Sequence, residues 1–187
     1  MAAHPPGTEA HTAMTLMLYT GAARTDAVKL GPWSIKDGRF RYRRQKTEKS
    51  NGSLISIPLH PDLAAVLATL PRGRPYISTR RGTARSAGGL GNLMQKWTAT
   101  ANLPVCSSHG LRKACARRVA EAGATTSQIA AVTGHKTLAL VQHYTAAAER
   151  AGMADSAFEK LITRPNGEQI LANLPEGFAI SGAKSIE

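Results

Sequence analysis

Glycines divide this chain into short segments whose hydrophobic spacing is that of helices. Between Thr8 and Thr20 apolar residues recur every three or four positions, and Gly21 follows directly. Such spacing gives a helix one apolar face, and glycine readily adopts the left-handed conformation that ends a helix. Two later segments end in the same way: Ser107 or Ser108 to Glu121 before Gly123, and Thr126 to Thr133 before Gly134. The chain is therefore predicted to be mainly helical.

Three short stretches in the N-terminal third have the composition of strands instead. They are Trp33 to Ile35, Arg39 to Arg44 and Leu54 to Leu59. Turns at Lys36-Asp37-Gly38 and Ser50-Asn51-Gly52 separate them, as in β-hairpins. We therefore expect a mainly helical α+β fold with one small three-stranded antiparallel sheet. Further helices are predicted at Thr25 to Leu30, Pro61 to Leu70, Leu90 to Ala101, 137–148 and 151–162, and a short strand at Tyr76-Ile77.

The length and charge of the chain suit one domain that binds a polyanion. It has 187 residues, with 24 lysines and arginines against 12 acids and a formal charge of +12. Cations that bind phosphates release counterions, although a merely soluble basic surface is the simpler alternative. Cys106 and Cys115 have no metal-ligand spacing and are interpreted as reduced packing residues. Because the sequence has neither a signal-peptide pattern nor a membrane-spanning run, the cytoplasm is the default location.

Four polar residues near the C-terminal end could together act on a phosphodiester. His109 and Arg112 are three positions apart, so they share one face of a helix, and His135 and Tyr144 follow in a segment that can fold back. Phosphoryl transfer needs cations around the non-bridging oxygens, proton donors and acceptors, and an attacking oxygen. Each residue alone has a structural interpretation, and a lone tyrosine is far more often structural than catalytic. The order of all four favours catalysis.

This order, His-x-x-Arg, then Gly-His, then Tyr, resembles the catalytic end of the tyrosine recombinases, the phage integrase family, over roughly residues 10 to 160. The resemblance implies that Tyr144 attacks the scissile DNA phosphate and forms a 3′-phosphotyrosyl bond. Because that ester keeps the bond energy, strands can be rejoined without a cofactor, and no metal is expected. The resemblance also implies that Arg112 binds a non-bridging oxygen, that His109 relays a proton, and that His135 donates a hydrogen bond to the phosphate.

Lys46 is the candidate general acid of this site. In the family, a lysine of a Lys-Thr pair on a β-hairpin protonates the leaving 5′ oxygen, and Lys46-Thr47 lies at the end of a predicted strand. The stretch from Ile55 to Pro61 resembles the return strand and following helix of the family, which supports this register. The alternative is a solvated lysine, because seven Lys or Arg residues lie from Lys36 to Lys49. Candidate DNA-binding residues are Arg41, Arg43, Arg44, Arg80, Arg81 and Lys113.

The sequence departs from the family at the first catalytic arginine. Counting forward from Gly21 and counting back from Asp26 both place Ala23 at that position. Arg24 is one residue out of register, which is about 100° of rotation around a helix. Either Arg24 is the working arginine, reached through a local backbone shift, or the position is an alanine, natural or engineered, and one phosphate clamp is missing. We favour the second interpretation.

Two functions of one fold stay open. The first is a tyrosine recombinase catalytic domain over residues 1–162, which cleaves and rejoins double-stranded DNA; the second is a DNA-binding protein that no longer cuts because Ala23 removes one clamp. A basic RNA-associated helical protein would leave the order of the motifs to chance. We expect no N-terminal DNA-clamping domain, and we expect residues 163–187 to form a tail that either docks on a neighbouring subunit of a tetramer or is disordered. The apolar residues available for docking are Ile170, Leu171, Leu174 and Phe178.

Overall fold

The computed structural model describes residues 3–45, 52–135 and 138–163 of the chain. Its helices are α1 (Glu9–Thr20), α2 (Arg24–Ala27), α3 (Pro61–Ala68), α4 (Ala87–Thr100), α5 (Ser108–Glu121), α6 (Thr126–Thr133) and α7 (Leu138–Ile162). Its strands are β1 (Ile35–Lys36), β2 (Arg39–Arg43) and β3 (Leu54–Pro58), in one antiparallel sheet of order β1-β2-β3. The predicted fold class, mainly helical with a small three-stranded antiparallel sheet, is confirmed.

Helix α1 is the centre of the fold. The Thr8 hydroxyl caps its N-terminus by accepting a hydrogen bond from the His11 amide, and Gly21 ends it in the left-handed conformation, with φ 61°. Apolar and small residues occupy most of its circumference, and Leu16 and Met17 are fully buried. The helix therefore packs against α3, α4 and α5 at once. Its C-terminal carbonyls, which have no partners within the helix, lie next to α5 and α6.

The sheet alternates between the core and the solvent, and this alternation separates its arginines from its aromatic residues. Phe40 and Tyr42 of β2 are buried, whereas Arg41 and Arg43 of the same strand belong to the opposite face. Phe40 pairs with Ile57 of β3, which is also buried. Strand β2 thus packs one face on the core and presents a row of basic side chains on the other.

A second, smaller apolar cluster joins α5, α6 and α7. Its buried residues are Ala116, Ala120, Ile129 and Val141. The short alanine side chains let the three helices approach closely, and each of the three packs against the other two. The chain after α6 therefore returns to α5, the helix that contains Arg112.

Two predictions around Gly31 were wrong in detail. Trp33 does not lie in a strand: it belongs to a 3₁₀ turn (Pro32–Ser34), and the residue is 61% exposed. Proline fixes its own φ and has no amide to donate, so pairing begins only at Ile35. The helix predicted from Thr25 to Leu30 is shorter, since α2 ends at Ala27.

Two further predictions of local structure were wrong. The helices predicted at 137–148 and 151–162 are one continuous helix, α7, in which Gly152 causes no break. A single helical glycine costs about 1 kcal/mol relative to alanine, which the rest of a long helix tolerates. The segment at Tyr76-Ile77 is a bend and not a strand, and the Tyr76 amide donates to the carbonyl of Leu30 at 2.9 Å.

The N-terminal loop is anchored to the fold rather than loose. His4 is buried, and its Nε2 donates a hydrogen bond to the Trp97 carbonyl at 2.8 Å. Of the predicted tail, residues 163–187, all but Thr163 lie outside the described residues. Within the described part of the chain, no helix combines the length and the apolar character that crossing a bilayer requires.

Candidate active site

Carbonyls at the C-termini of two helices hold two arginine side chains. Arg112 Nη1 donates to the Gly21 carbonyl at 2.6 Å, and Arg44 Nη1 donates to the Gly134 carbonyl at 2.6 Å. Both glycines are left-handed C-caps, of α1 and α6 respectively. The last carbonyls of a helix carry partial negative charge and lack helical partners, so they attract cations. The two helix ends adjoin each other, since a Cβ on Gly21 would lie 3.5 Å from Thr133 Cγ2.

The Arg112 guanidinium is buried but not fully hydrogen-bonded. The residue is 3% exposed, and its Nη2 has no hydrogen-bond partner among the residues that the structure describes. Burial, followed by the charge of Arg44, lowers the pKa of Arg112 to about 10, so the side chain stays charged at neutral pH. A buried N–H group without an acceptor is costly. Arg112 is therefore suited to bind an anionic oxygen from outside the chain.

Asp26 is the buried carboxylate beside the two arginines. Its Oδ1 accepts a hydrogen bond from the Gln45 amide at 2.8 Å, and burial raises its pKa against the opposing charges of Arg44 and Arg112. Two guanidiniums against one carboxylate leave a local excess of positive charge. The sequence analysis used Asp26 only to set the register; an acid followed directly by the apolar Ala27-Val28 was the signal that it would be buried.

His135 adds an imidazole to the same place. It is half-buried, it follows Gly134, the C-cap of α6, and its Nδ1 lies 2.7 Å from Thr133 Oγ1. Burial lowers its pKa to about 4, with further contributions from the positive charges of Arg112, Arg44 and His109. The imidazole of His135 is therefore neutral at physiological pH, and it lies within electrostatic range of three other basic side chains.

An open cavity of about 360 Å³ adjoins Arg112. Its lining residues come from the N-terminal ends of α2 and α5: Ala23, Arg24, Thr25, Ser107, Ser108, His109 and Arg112. Burial, then the charges of Lys113 and Arg112, lowers the pKa of His109. Amides in the first turn of a helix have no helical acceptors and favour anions. The cavity thus combines basic side chains, hydroxyls and helix N-termini.

Ala23 and Arg24 occupy different parts of this cavity wall. Ala23 is the N-cap residue of α2, and its carbonyl accepts hydrogen bonds from the amides of Asp26 and Ala27 at 2.9 and 2.8 Å. The Arg24 guanidinium lies against Gly91 of α4, where an added Cβ would overlap Nη1 and lie 3.0 Å from Cζ. The side chain of Arg24 therefore extends towards α4, over a position where only glycine leaves room for it.

The structure brings together three of the five predicted catalytic residues: His109, Arg112 and His135. The backbone of Tyr144 lies in the first two turns of α7, which packs against α5 and α6, and its side chain is outside the described part of the chain. Lys46 also lies outside the described residues. The roles of all five stay predictions.

The candidate DNA contacts fall into two groups. Arg41 and Arg43 lie on the outer face of the sheet, and Lys113 follows Arg112 on α5. Arg80 lines a separate cavity with Gly7 and Glu9, and Arg81 is its neighbour. That second group lies at the N-terminal end of α1, roughly 18 Å from the C-terminal end at 1.5 Å per residue.

Replacing Gly134 with alanine is expected to destabilise the protein by about 1–3 kcal/mol. Its φ is 69°, and a Cβ would lie 2.5 Å from Ile55 Cδ1. Gly123→Ala is the matched control, because its φ is 83° and no heavy atom lies within 4 Å of the added Cβ. Denaturant unfolding of both variants separates backbone strain from steric overlap. Equal losses in the two variants would contradict a steric contribution at Gly134.

Acidification is expected to destabilise the fold through its histidines. Folding lowers the pKa of His135 from 6.5 to about 4 and also lowers the pKa of His109. The unfolded chain therefore binds more protons in that pH range, so stability is greatest above pH 6.5 and falls as the pH drops towards 4. Denaturant unfolding at a series of pH values measures this loss, and His135→Gln should flatten it. The same pH dependence in variant and parent would contradict the assignment.

The chain matches a protein family and superposes on solved recombinases. The sequence model of the phage integrase family matches residues 2–150. The fold is similar to Tn1549 transposon integrase in complex with transposon right end DNA, with a TM-score of 0.59 and 15% identity over 79% of this chain and 58% of that one. It is also similar to a lambda integrase (75–356) dimer bound to a core site, with a TM-score of 0.60 and 21% identity over 73% and 52% of the two chains.

A third similar structure is the XerA recombinase, with a TM-score of 0.61 and 16% identity over 82% of this chain and 64% of that one. The chain thus spans less than two thirds of the length of these solved proteins. No curated protein sequence matches it significantly. Since the family model covers most of its residues, the chain belongs to the phage integrase family, the tyrosine recombinases.

Proposed function

We propose that this domain cleaves and rejoins double-stranded DNA through a tyrosyl–phosphate intermediate. The single observation that carries the proposal is Arg112, a buried guanidinium that Gly21 holds beside a cavity and whose Nη2 lacks an acceptor among the described residues. The guanidinium of Arg44 and the imidazoles of His109 and His135 lie within electrostatic range of it. The similar structures of Tn1549 integrase and lambda integrase were solved with bound DNA, which supports DNA as the substrate of this domain.

The proposed reaction exchanges one phosphate ester for another. The hydroxyl oxygen of Tyr144 forms a bond to the scissile phosphorus while the bond from phosphorus to the 5′ oxygen breaks. The tyrosine proton passes to a base, and the leaving 5′ oxygen takes a proton from an acid, for which Lys46 is the candidate. The phosphate stays on the 3′ end through tyrosine. Attack by a 5′ hydroxyl reverses these steps, so no nucleotide is consumed.

The described residues would support this exchange mainly by electrostatics. Arg112 binds a non-bridging oxygen, and Arg44, which the sequence indicated only as a DNA contact, adds a second guanidinium held at Gly134. His109 lines the cavity with its pKa lowered, so it is neutral at pH 7 and able to accept the tyrosine proton. Charge that develops on the phosphate is thus met by cations already fixed in place.

Trapping with nicked suicide duplexes tests the proposal. Cleavage near a nick releases a short 5′-hydroxyl fragment, so rejoining fails and the covalent adduct accumulates. Because the target sequence is unknown, a library of nicked duplexes is incubated with the protein, adducts are isolated on denaturing gels, and the modified peptide is mapped by mass spectrometry. The expected result is DNA attached at Tyr144. A protein that binds none of the duplexes would contradict the proposal.

A second function, DNA binding without cleavage, is favoured by one observation. Ala23 lines the cavity beside His109 and Arg112, at the position where the family pattern has an arginine. A site with one clamp missing would still bind phosphates through Arg112 and Arg44 but would stabilise the transition state less. DNA binding with no adduct from any nicked duplex would favour this second function.

We also propose that residues 1–162 form the catalytic unit and that residues 163–187 mediate self-association on DNA. A lambda integrase dimer on its core site is one of the similar structures, which supports assembly on DNA. The apolar residues of the tail, from Ile170 to Phe178, would dock on a neighbouring subunit. Truncation after Thr163 should then leave DNA binding by single subunits intact and reduce the size of DNA complexes in light scattering. Complexes of unchanged size would contradict this role.

A further inference from the structure

The hydroxyl of Thr133 determines which nitrogen of His135 carries the proton. Thr133 is fully buried at the end of α6, and its Oγ1 lies 2.8 Å from the Ile129 carbonyl and 2.7 Å from His135 Nδ1. A hydroxyl has one proton to donate, and a carbonyl can only accept. The proton of Thr133 therefore goes to Ile129, and Thr133 Oγ1 accepts from Nδ1–H. We infer that Thr133 is a positioning residue that fixes His135 in the Nδ1–H tautomer.

This tautomer changes what His135 can do at a phosphate. A neutral imidazole with its proton on Nδ1 has a lone pair on Nε2, so Nε2 accepts hydrogen bonds and cannot donate one. The family resemblance gives His135 the role of a hydrogen-bond donor to the phosphate. The hydrogen bond from Nδ1–H to Thr133 and the donor role at the phosphate are compatible only if Nε2 first takes up a proton from the solvent. His135 then becomes an imidazolium that donates from Nδ1 to Thr133 and from Nε2 to the phosphate.

The charges around His135 make this proton uptake depend on the substrate. Burial is the largest cause of the lowered pKa of His135, and the charged and titratable groups that add to it are Arg112 and His109 of α5 and Arg44, the residue after β2. A phosphodiester bound between them brings a negative charge that opposes this effect. Binding of a DNA phosphate is therefore coupled to protonation of His135 Nε2. The proton uptake on DNA binding rests on the proposed function. The tautomer of His135 in the free protein is independent of it.

Nitrogen NMR of the free protein tests the tautomer directly. In two-bond proton–nitrogen correlation spectra of protein labelled with ¹⁵N-histidine at neutral pH, His135→Gln identifies the His135 signals by their loss. The expected parent spectrum has a pyrrole-type Nδ1 and a pyridine-type Nε2. The opposite pattern, with the proton on Nε2, would overturn the inference, whatever the protein does with DNA.

Two substitutions at Thr133 separate positioning from packing. Thr133→Ser keeps a hydroxyl and should retain the Nδ1–H pattern. Thr133→Val keeps the shape but removes the acceptor, so it should shift His135 towards Nε2–H, the form that a histidine side chain without a partner prefers in water. The signals of the other histidines report whether each variant is folded. If the valine variant fails to fold, the parent and serine spectra still decide the outcome. An Nδ1–H pattern in a folded valine variant would overturn the role of Thr133.

Addition of unnicked duplex DNA tests the proton uptake. Binding is followed by fluorescence anisotropy under the same conditions, and the expected spectrum of the complex has pyrrole-type shifts at both nitrogens of His135. A single proton on Nε2 with a pyridine-type Nδ1 would show that the Thr133 hydroxyl had rotated instead, and would overturn the coupling. An unchanged spectrum in a bound complex would also overturn it. Absence of any binding would instead defeat the proposed function and leave the tautomer result standing.

Discussion

Replacing Tyr144 with phenylalanine is expected to abolish the covalent protein–DNA adduct and to leave DNA affinity nearly unchanged. The substitution removes one oxygen, the nucleophile, whereas the guanidiniums of Arg112 and Arg44 keep their positions at Gly21 and Gly134. Adduct formation on a nicked suicide duplex should fall below detection. Anisotropy with an intact duplex at fixed salt should give a dissociation constant within about twofold of the parent value, because phosphate contacts dominate affinity.

Tyr19→Phe is the matched control for this experiment. Tyr19 is a tyrosine of α1 whose hydroxyl donates to Asp62 Oδ2 at 2.6 Å and whose ring packs against His60. It lies outside the lining of the cavity beside Arg112. Removal of the Tyr19 hydroxyl should leave the amount of covalent adduct at the parent level. Equal trapping by the parent and by Tyr144→Phe would exclude Tyr144 as the nucleophile.

The helix ends that build the site could be predicted from the sequence, but the contacts made there could not. Gly21 and Gly134 end α1 and α6 as expected, because the left-handed conformation is a local property of glycine. The side chains that bind their carbonyls come from far along the chain: Arg112 is 91 residues from Gly21, and Arg44 is 90 residues from Gly134. Such pairings depend on how α1, α5, α6 and the sheet pack, which local patterns do not encode.

The distribution of charge along the sequence also does not show which arginines belong to the site. Arg44 is one basic residue in a run, and only the fold shows that its side chain turns back to α6 while Arg43 binds the nearby Gly52 carbonyl. The expectation that His109, Arg112 and His135 come close together agrees with their mutual electrostatic effects in the structure. That proximity was predictable because the order of these residues resembles the family; the burial of Arg112 was not.

Placing an arginine at position 23 is expected to raise cleavage by roughly 10²–10⁴-fold, in the range of other groups that stabilise a phosphoryl transition state. Ala23 lines the cavity beside Arg112, and it makes no side-chain cap to α2 that the substitution would break. Its backbone is extended, with φ −68° and ψ 157°, which arginine adopts without strain. A further guanidinium there, besides those of Arg112 and Arg44, would stabilise the negative charge that grows on the phosphate in the transition state.

Arg24→Ala and Gly91→Ala determine whether Arg24 already supplies that charge. The guanidinium of Arg24 lies against Gly91, so a methyl group at Gly91 must displace it, whereas alanine itself favours the α4 helix. If Ala23 occupies the clamp position, both substitutions should change single-turnover cleavage little at saturating protein, and Ala23→Arg alone should raise it. Arg24→Ala would weaken DNA binding mainly at low salt, because its long-range attraction is screened. A large loss of cleavage with Arg24→Ala, together with no gain from Ala23→Arg, would identify Arg24 as the working arginine and the assigned register as wrong.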